Sequence, residues 1–173
     1  NIKDWRGEAD LSFCGNLMWD EDNLYLAAVV KDDVFSQDYV RNAVWNGDSI
    51  QFGLNDNSAD IQNTSQFTPF CLSLTKDGTQ LYRSAAYYFS EAALVENVKM
   101  SAKRTSDGVV YEAAIPWSEI FYEGYTPDTS SQVGFSILFN DNDGNGRRGW
   151  IEYNSGIGSG KDYTQFGKIT FIK

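Results

Sequence analysis

Within one short stretch, Asp141, Asp143, Asn145, Gly146 and Glu152 fit the spacing D-x-[DN]-x-[DN]-G-x5-E of a calcium loop. The chemistry explains the pattern. A hard divalent cation takes several oxygen ligands at once. Alternate residues of a tight loop turn carboxylate and amide oxygens inward, and Gly146 permits the sharp bend. A carbonyl near Arg147 and the carboxylate of Glu152 would close the shell. The flanks, Phe135-Ser-Ile-Leu-Phe139 and Trp150-Ile-Glu-Tyr153, are rich in β-formers. The expectation is therefore a Ca2+ loop at the tip of a β-hairpin, not a helix–loop–helix. A polar hairpin loop without metal is the competing reading, since Asp, Asn and Gly favour turns on their own account.

Other chemistry is limited by what the chain lacks. It contains no histidine, which excludes a histidine general base, a Ser-His-Asp triad, an imidazole zinc site and a histidine haem ligand. The 24 acidic residues supply carboxylates, but glycoside hydrolysis needs two of them flanking one bond at a set separation. Those in view stand in turns or in the 141–152 stretch, so the chain is read as not an enzyme. Asp32 and Asp33, at the end of a strand, are read as solvated in preference to a second cation site. The net charge of −10 repels phosphate backbones and argues against nucleic acid. It suits calcium and neutral polymers. No apolar run is long enough to span a membrane. Cys14 and Cys71 form no metal or redox motif, and buried free thiols are preferred to a disulfide.

The elements that must position these groups are short strands. Leu11–Trp19 alternates, with Leu11, Phe13, Leu17 and Trp19 on one face, and pairs across a turn with Leu24–Val30. A loop then runs to Gly47, followed by a strand at Asp48–Leu54 and a polar loop at Asn55–Ser65. Gln66–Thr75 and Gln80–Ser84 form a hairpin around Lys76-Asp-Gly-Thr79. The segment Ala85–Glu96 reads either as a short helix around Glu91–Leu94 or as an irregular strand. Strands follow around Val98–Ala102, Val109–Ile115, Val133–Asn140 and Phe166–Ile172, with one helical turn after Pro116. This is an all-β chain, an antiparallel β-sandwich (jelly-roll-like) with short helical turns, and residues 1–173 form a single domain. The chain begins at Asn1 without Met, as expected of a processed chain or a fragment.

Several segments line up, in order, with a known pattern: Leu17-Met-Trp-Asp-Glu-Asp-Asn-Leu-Tyr-Leu26, Val29-Val-Lys-Asp-Asp33, Trp45-Asn-Gly-Asp-Ser-Ile-Gln-Phe52, Tyr111-Glu-Ala-Ala-Ile-Pro-Trp117, Val133-Gly-Phe-Ser-Ile-Leu-Phe-Asn-Asp141 and Phe166-Gly-Lys-Ile169. This set resembles the family 9 carbohydrate-binding modules from about Leu11 to Lys173. The resemblance implies a β-sandwich that binds polysaccharide or oligosaccharide without cleaving it. It also implies structural calcium, and linkage to the catalytic or other domains of a larger secreted bacterial chain acting on plant polysaccharides such as xylan or cellulose. An extracellular location follows from the same resemblance.

In this family two Trp rings sandwich a terminal sugar. Trp45 falls on the first of these positions and Gly160 on the second. Gln51 takes the place of a sugar-contacting acid, Leu138 that of a Gln, and Thr68 that of an Arg. A pyranose presents an apolar C–H face that stacks on an indole while its hydroxyls take amides and carboxylates. The candidate sugar contacts are therefore Trp45, Asn46, Asp48 and Gln51, with Trp150 or Tyr163 supplying the missing ring. Trp19 and Trp117 are read as core, and Trp150 also fits a packing role beside the loop. The departures from the family pattern keep a second function in view: a structural or interaction sandwich with calcium and no sugar site.

Overall fold

The computed structural model describes residues 2, 5–57 and 66–172, so most of the polar loop expected at Asn55–Ser65 lies outside the described residues. Alternation of β-branched and aromatic residues with polar ones drives the chain into two antiparallel sheets, as expected. The four-stranded sheet runs β1 (Leu11–Trp19), β2 (Asn23–Asp32), β8 (Gly108–Pro116), β7 (Lys99–Arg104). The seven-stranded sheet runs β10 (Gly149–Tyr153), β9 (Gln132–Asp141), β3 (Ser49–Asn55), β4 (Thr68–Thr75), β5 (Gly78–Arg83), β6 (Ala93–Leu94). In the same sheet, β11 (Gly167–Thr170) pairs with the first half of β9, on the edge that β10 uses further along. The ambiguous segment around Glu91–Leu94 resolves as the two-residue strand β6. The turn after Pro116 is α1 (Trp117–Ile120). Two 3₁₀ turns, Arg41–Asn46 and Tyr163–Gln165, complete the elements. No helix among the described residues is long and apolar enough to cross a membrane.

The strand period of two sorts side chains between faces. Leu24, Leu26, Ala28 and Val30 of β2 point between the sheets, as do Ile50, Phe52 and Leu54 of β3 and Val133, Phe135, Ile137 and Phe139 of β9, and all are buried. Phe13 and Phe139 stack across the gap at 3.9 Å. Each such valine, leucine, isoleucine or phenylalanine side chain, fully buried, contributes about 1.5–3 kcal/mol. Trp117 is core, as expected. Trp19 is half-buried against Phe171 and donates its indole N–H to the Ile172 carbonyl at 3.1 Å.

A second, smaller apolar cluster lies on the outer face of the seven-stranded sheet. There Phe67, Leu138, Ile157 and Phe166 pack together with Trp150 and Tyr163 against them. The cysteines separate by the same parity. Phe13 faces the core, so its neighbour Cys14 faces out from the four-stranded sheet and is exposed, a correction to the expected burial. Cys71 is buried on the outer face of the other sheet, beside Gln51. Both thiols are free.

Candidate functional site

At one end of the sandwich the inward-pointing positions change from apolar to acidic. Two residues beyond Val30 stands Asp32, two before Ile50 stands Asp48, and two beyond Phe139 stands Asp141. Parity therefore delivers three aspartates from three strands to one buried end. Asp10, Asp32, Asp48 and Asp141 are all at most 5% exposed. The expectation that Asp32 is solvated is corrected: the inward row continues through it.

Asp32, Asp141 and Asp143 bring one carboxylate oxygen each within 4.8 Å of one another. Two arginines partly offset the charge. The Arg148 guanidinium bonds Asp141, lies 3.3 Å from Asp143 Oδ2 and 2.6 Å from Asp10 Oδ1. Arg6 pairs with Asp10 at 2.7 Å and with Asp33 at 2.9 Å. An excess of buried negative charge persists. Burial, and then the neighbouring Asp32, push the Asp48 carboxyl far above the usual carboxylate range. Burial, opposed by Arg148, raises Asp141 to about 6. Oδ1 of Asp141 and Oδ1 of Asp143 are buried without a hydrogen-bond partner among the described residues. An unpartnered buried acceptor costs about 1–3 kcal/mol. A set of hard oxygens with orphaned lone pairs fits Ca2+.

Only part of the expected calcium shell assembles here. Asp141 and Asp143 come together, and Asn145 is exposed at the loop tip. Glu152 does not join them. It pairs with Leu138, whereas Asp141 pairs with Gly149. Residues 138 and 141 of one strand point to opposite faces, so Glu152 stands on the outer face of the sheet. Its carboxylate accepts from Trp150 Nε1 and Ser155 Oγ, each at 3.1 Å. The Arg147 side chain, as distinct from the carbonyl expected in the shell, lies away from the acidic end, against Trp45 and Trp150. Asp48 is corrected as a sugar contact, because its buried carboxylate accepts the backbone N–H groups of Ser36 and, at 2.8 Å, Asn142. It secures the 141–143 segment from behind.

The outer face of the seven-stranded sheet carries the other candidate residues. Trp45 is presented there by the Arg41–Asn46 turn. The buried Gln37 amide anchors that turn, donating to the carbonyls of Val44 (2.9 Å) and Asp48 (3.0 Å) and to Ser73 Oγ (2.8 Å). Gly47 is required for this closeness, as a Cβ there would fall 2.3 Å from Gln37 Oε1. Asn46 caps the turn through its amide on the Ala43 carbonyl at 3.2 Å. Trp45 is 43% exposed on this fixed mount. Trp150 is half-buried against Gly158, where a Cβ would lie 2.2 Å from the indole. The Arg147 guanidinium bridges the two rings, 5.3 Å from the Trp45 centroid and 4.3 Å from that of Trp150, within cation–π range.

Glu152, Leu138, Gln51, Cys71 and Tyr82 form one cross-strand row beneath these rings. Gln51 donates to Asn140 Oδ1 at 3.3 Å. Tyr163 is half-buried in the small cluster, and Gly160 has open space around it. The sequence reading missed Arg147 as the bridge and Glu152 as an outer-face group. Pairing parity was the signal available for Glu152.

A two-sheet sandwich with a mounted aromatic patch on one broad face has the architecture of a binding module. This chain belongs to the carbohydrate family 9 binding domain-like family, whose model matches residues 2–173. It is thus a carbohydrate-binding module by family. Among curated proteins it is 29% identical to endo-1,4-beta-xylanase A of Thermotoga neapolitana over 163 residues, 91% of this chain and 14% of that protein. It is also 29% identical to endo-1,4-beta-xylanase A of Thermoanaerobacterium saccharolyticum over 161 residues, 90% of this chain and 11% of that protein. The chain therefore spans only a small part of these relatives. A family 9 carbohydrate-binding module from Caldicellulosiruptor kristjanssonii in complex with cellotriose shares the fold, with TM-score 0.72, 20% identity and coverage of 98% of this chain and 79% of that one. A glucose complex from the same organism gives TM-score 0.61 at 21% identity, over 92% of this chain and 76% of that one.

Proposed function

We propose that this module binds a plant cell-wall glycan of the cellulose or xylan type, without cleaving it, on the outer face of its seven-stranded sheet. The observation that carries this reading is the mounting of Trp45. A large apolar ring is held 43% exposed by a buried glutamine that ties its turn to the sheet. An indole fixed in this way stacks on a pyranose C–H face with little ordering cost. Gln51 and Asn46 supply amide groups for sugar hydroxyls, Glu152 a carboxylate, and Trp150 the second ring. Relatives that are xylanases several times longer than this chain, and neighbours bound to cellotriose and glucose, support the ligand class. They also support linkage to a larger extracellular enzyme.

Calcium belongs to the same proposal. Asp32, Asp141 and Asp143 would hold it, and its charge would neutralise the acidic end and stiffen the 141–148 loop from which Arg147 rises. A structural sandwich without a sugar site is the second reading. It is favoured by the position of Arg147, which already lies over both rings. A binding screen of the purified domain against xylan, cellulose, β-glucan, mannan and pectin separates the two. Binding to one class, weakened at least about tenfold (1.4 kcal/mol) in Trp45→Ala with an unchanged melting temperature, supports the module reading. A folded domain that binds none of them supports the structural one.

A further inference from the structure

Arg147 has a chemistry that a neutral sugar does not need. Its guanidinium is half-buried, and burial lowers its pKa. Among the described residues it makes no ion pair and no hydrogen bond. Arg6, Arg83 and Arg148 each pair with an aspartate or glutamate, in a chain with 24 acidic against 14 basic residues. A cation withdrawn from water without an anion is costly. Cation–π contact with two indoles offsets part of that cost and holds the group beside both rings. Because the guanidinium makes no hydrogen bond among the described residues, its five N–H donors remain available. Those donors form the fork that receives a carboxylate in two parallel hydrogen bonds. Glu152, the acid of the cross-strand row on this face, already accepts from Trp150 and Ser155.

We propose that the Trp45–Arg147–Trp150 patch is selective for glycans bearing carboxylates, that is, uronic acid residues, with Arg147 as the anchor. The proposal rests on the glycan reading of the same patch. The net charge of −10 makes it sharper, because the protein as a whole repels a polyanion and a preference for an acidic glycan must come from a local cation. At physiological salt the repulsion is screened beyond about 8 Å, so a contact at Arg147 is decided by its immediate surroundings.

The test is calorimetric titration with 4-O-methylglucuronoxylan oligosaccharides and with the same preparation after carboxyl reduction, which leaves the chain intact and removes the charge. The acidic form is expected to bind at least about tenfold tighter, consistent with a charge-assisted pair. Arg147→Met is expected to abolish that preference, bringing the ratio of the two affinities to about one whatever its effect on binding of the reduced form. Arg147→Lys, which keeps the charge without the fork, is expected to retain a smaller preference, and it serves if the methionine variant does not fold. Equal affinity for both forms overturns the proposal and leaves the glycan reading standing. A preference that survives Arg147→Met also overturns it. Binding to neither form overturns the proposal, and the glycan reading falls with it when cellulose, β-glucan, mannan and pectin also fail to bind.

Discussion

Calcium should raise the thermal stability of this domain by an amount the structure bounds in two ways. Asp141 Oδ1 and Asp143 Oδ1 are buried without partners among the described residues. Satisfying two such oxygens, at about 1–3 kcal/mol each, is worth roughly 2–6 kcal/mol. Linkage gives a second figure. Extracellular calcium modules bind with Kd of about 10⁻⁴–10⁻³ M. About 10 mM calcium over a site at the tight end of that range stabilises by about 2.7 kcal/mol. For a chain of this size each kcal/mol moves the melting temperature by about 2–4 °C, so the midpoint should rise by about 5–11 °C. The assay is differential scanning calorimetry in EDTA, in about 10 mM calcium and in equal magnesium, which demands near-ideal octahedral geometry and should give less. Asp143→Asn, at a partly exposed position, should abolish the increment. Calcium and EDTA midpoints within about 1 °C of each other, or an increment that survives Asp143→Asn, would refute the reasoning.

Three further outcomes are expected. Gly158→Ala should displace the Trp150 indole, because a Cβ at 2.2 Å leaves it no room. Glycan affinity should fall about tenfold, or 1.4 kcal/mol, with a shift in tryptophan emission, and unchanged affinity would remove Trp150 from the site. Thiol titration at pH 8 should count one reactive cysteine in the native protein and two in denaturant. Cys14 is exposed, whereas burial raises the Cys71 thiol to about 12 and keeps it protonated. Leu72→Ala should cost about 2–5 kcal/mol in denaturant unfolding. Leu72 is fully buried at the middle of β4 between Ile50 and Leu81, so a loss under about 1 kcal/mol would mean the core there collapses around the gap.

Much of the scaffold was legible because the strand period leaves a direct trace in apolar alternation. The Leu11–Trp19 and Leu24–Val30 hairpin, the strand after Gly47, and the hairpin carrying the 141–148 loop all stand where the pattern puts them. The site was harder to read, for a reason of parity. A metal-loop spacing counts residues along the chain, but which face a strand residue takes depends on its pairing register. Asp141 and Glu152 satisfy the spacing and still part to opposite faces. Asp32 and Asp48 join the acidic end, though their neighbourhoods look like a solvated strand end and a sugar loop. Arg147 and Arg148 make the point most plainly. They are adjacent and chemically identical, yet one spans the indole pair and the other enters the aspartate cluster. Composition holds nothing that distinguishes them.

Cys14 and Trp45 occupy opposite broad faces of the sandwich. With Cys71 sealed, a maleimide or gold surface can take hold of the domain at one defined point, with the indole patch turned toward the solution. Every immobilised molecule would then present the same face, and surface-based affinity measurements would read a single orientation without an engineered tag.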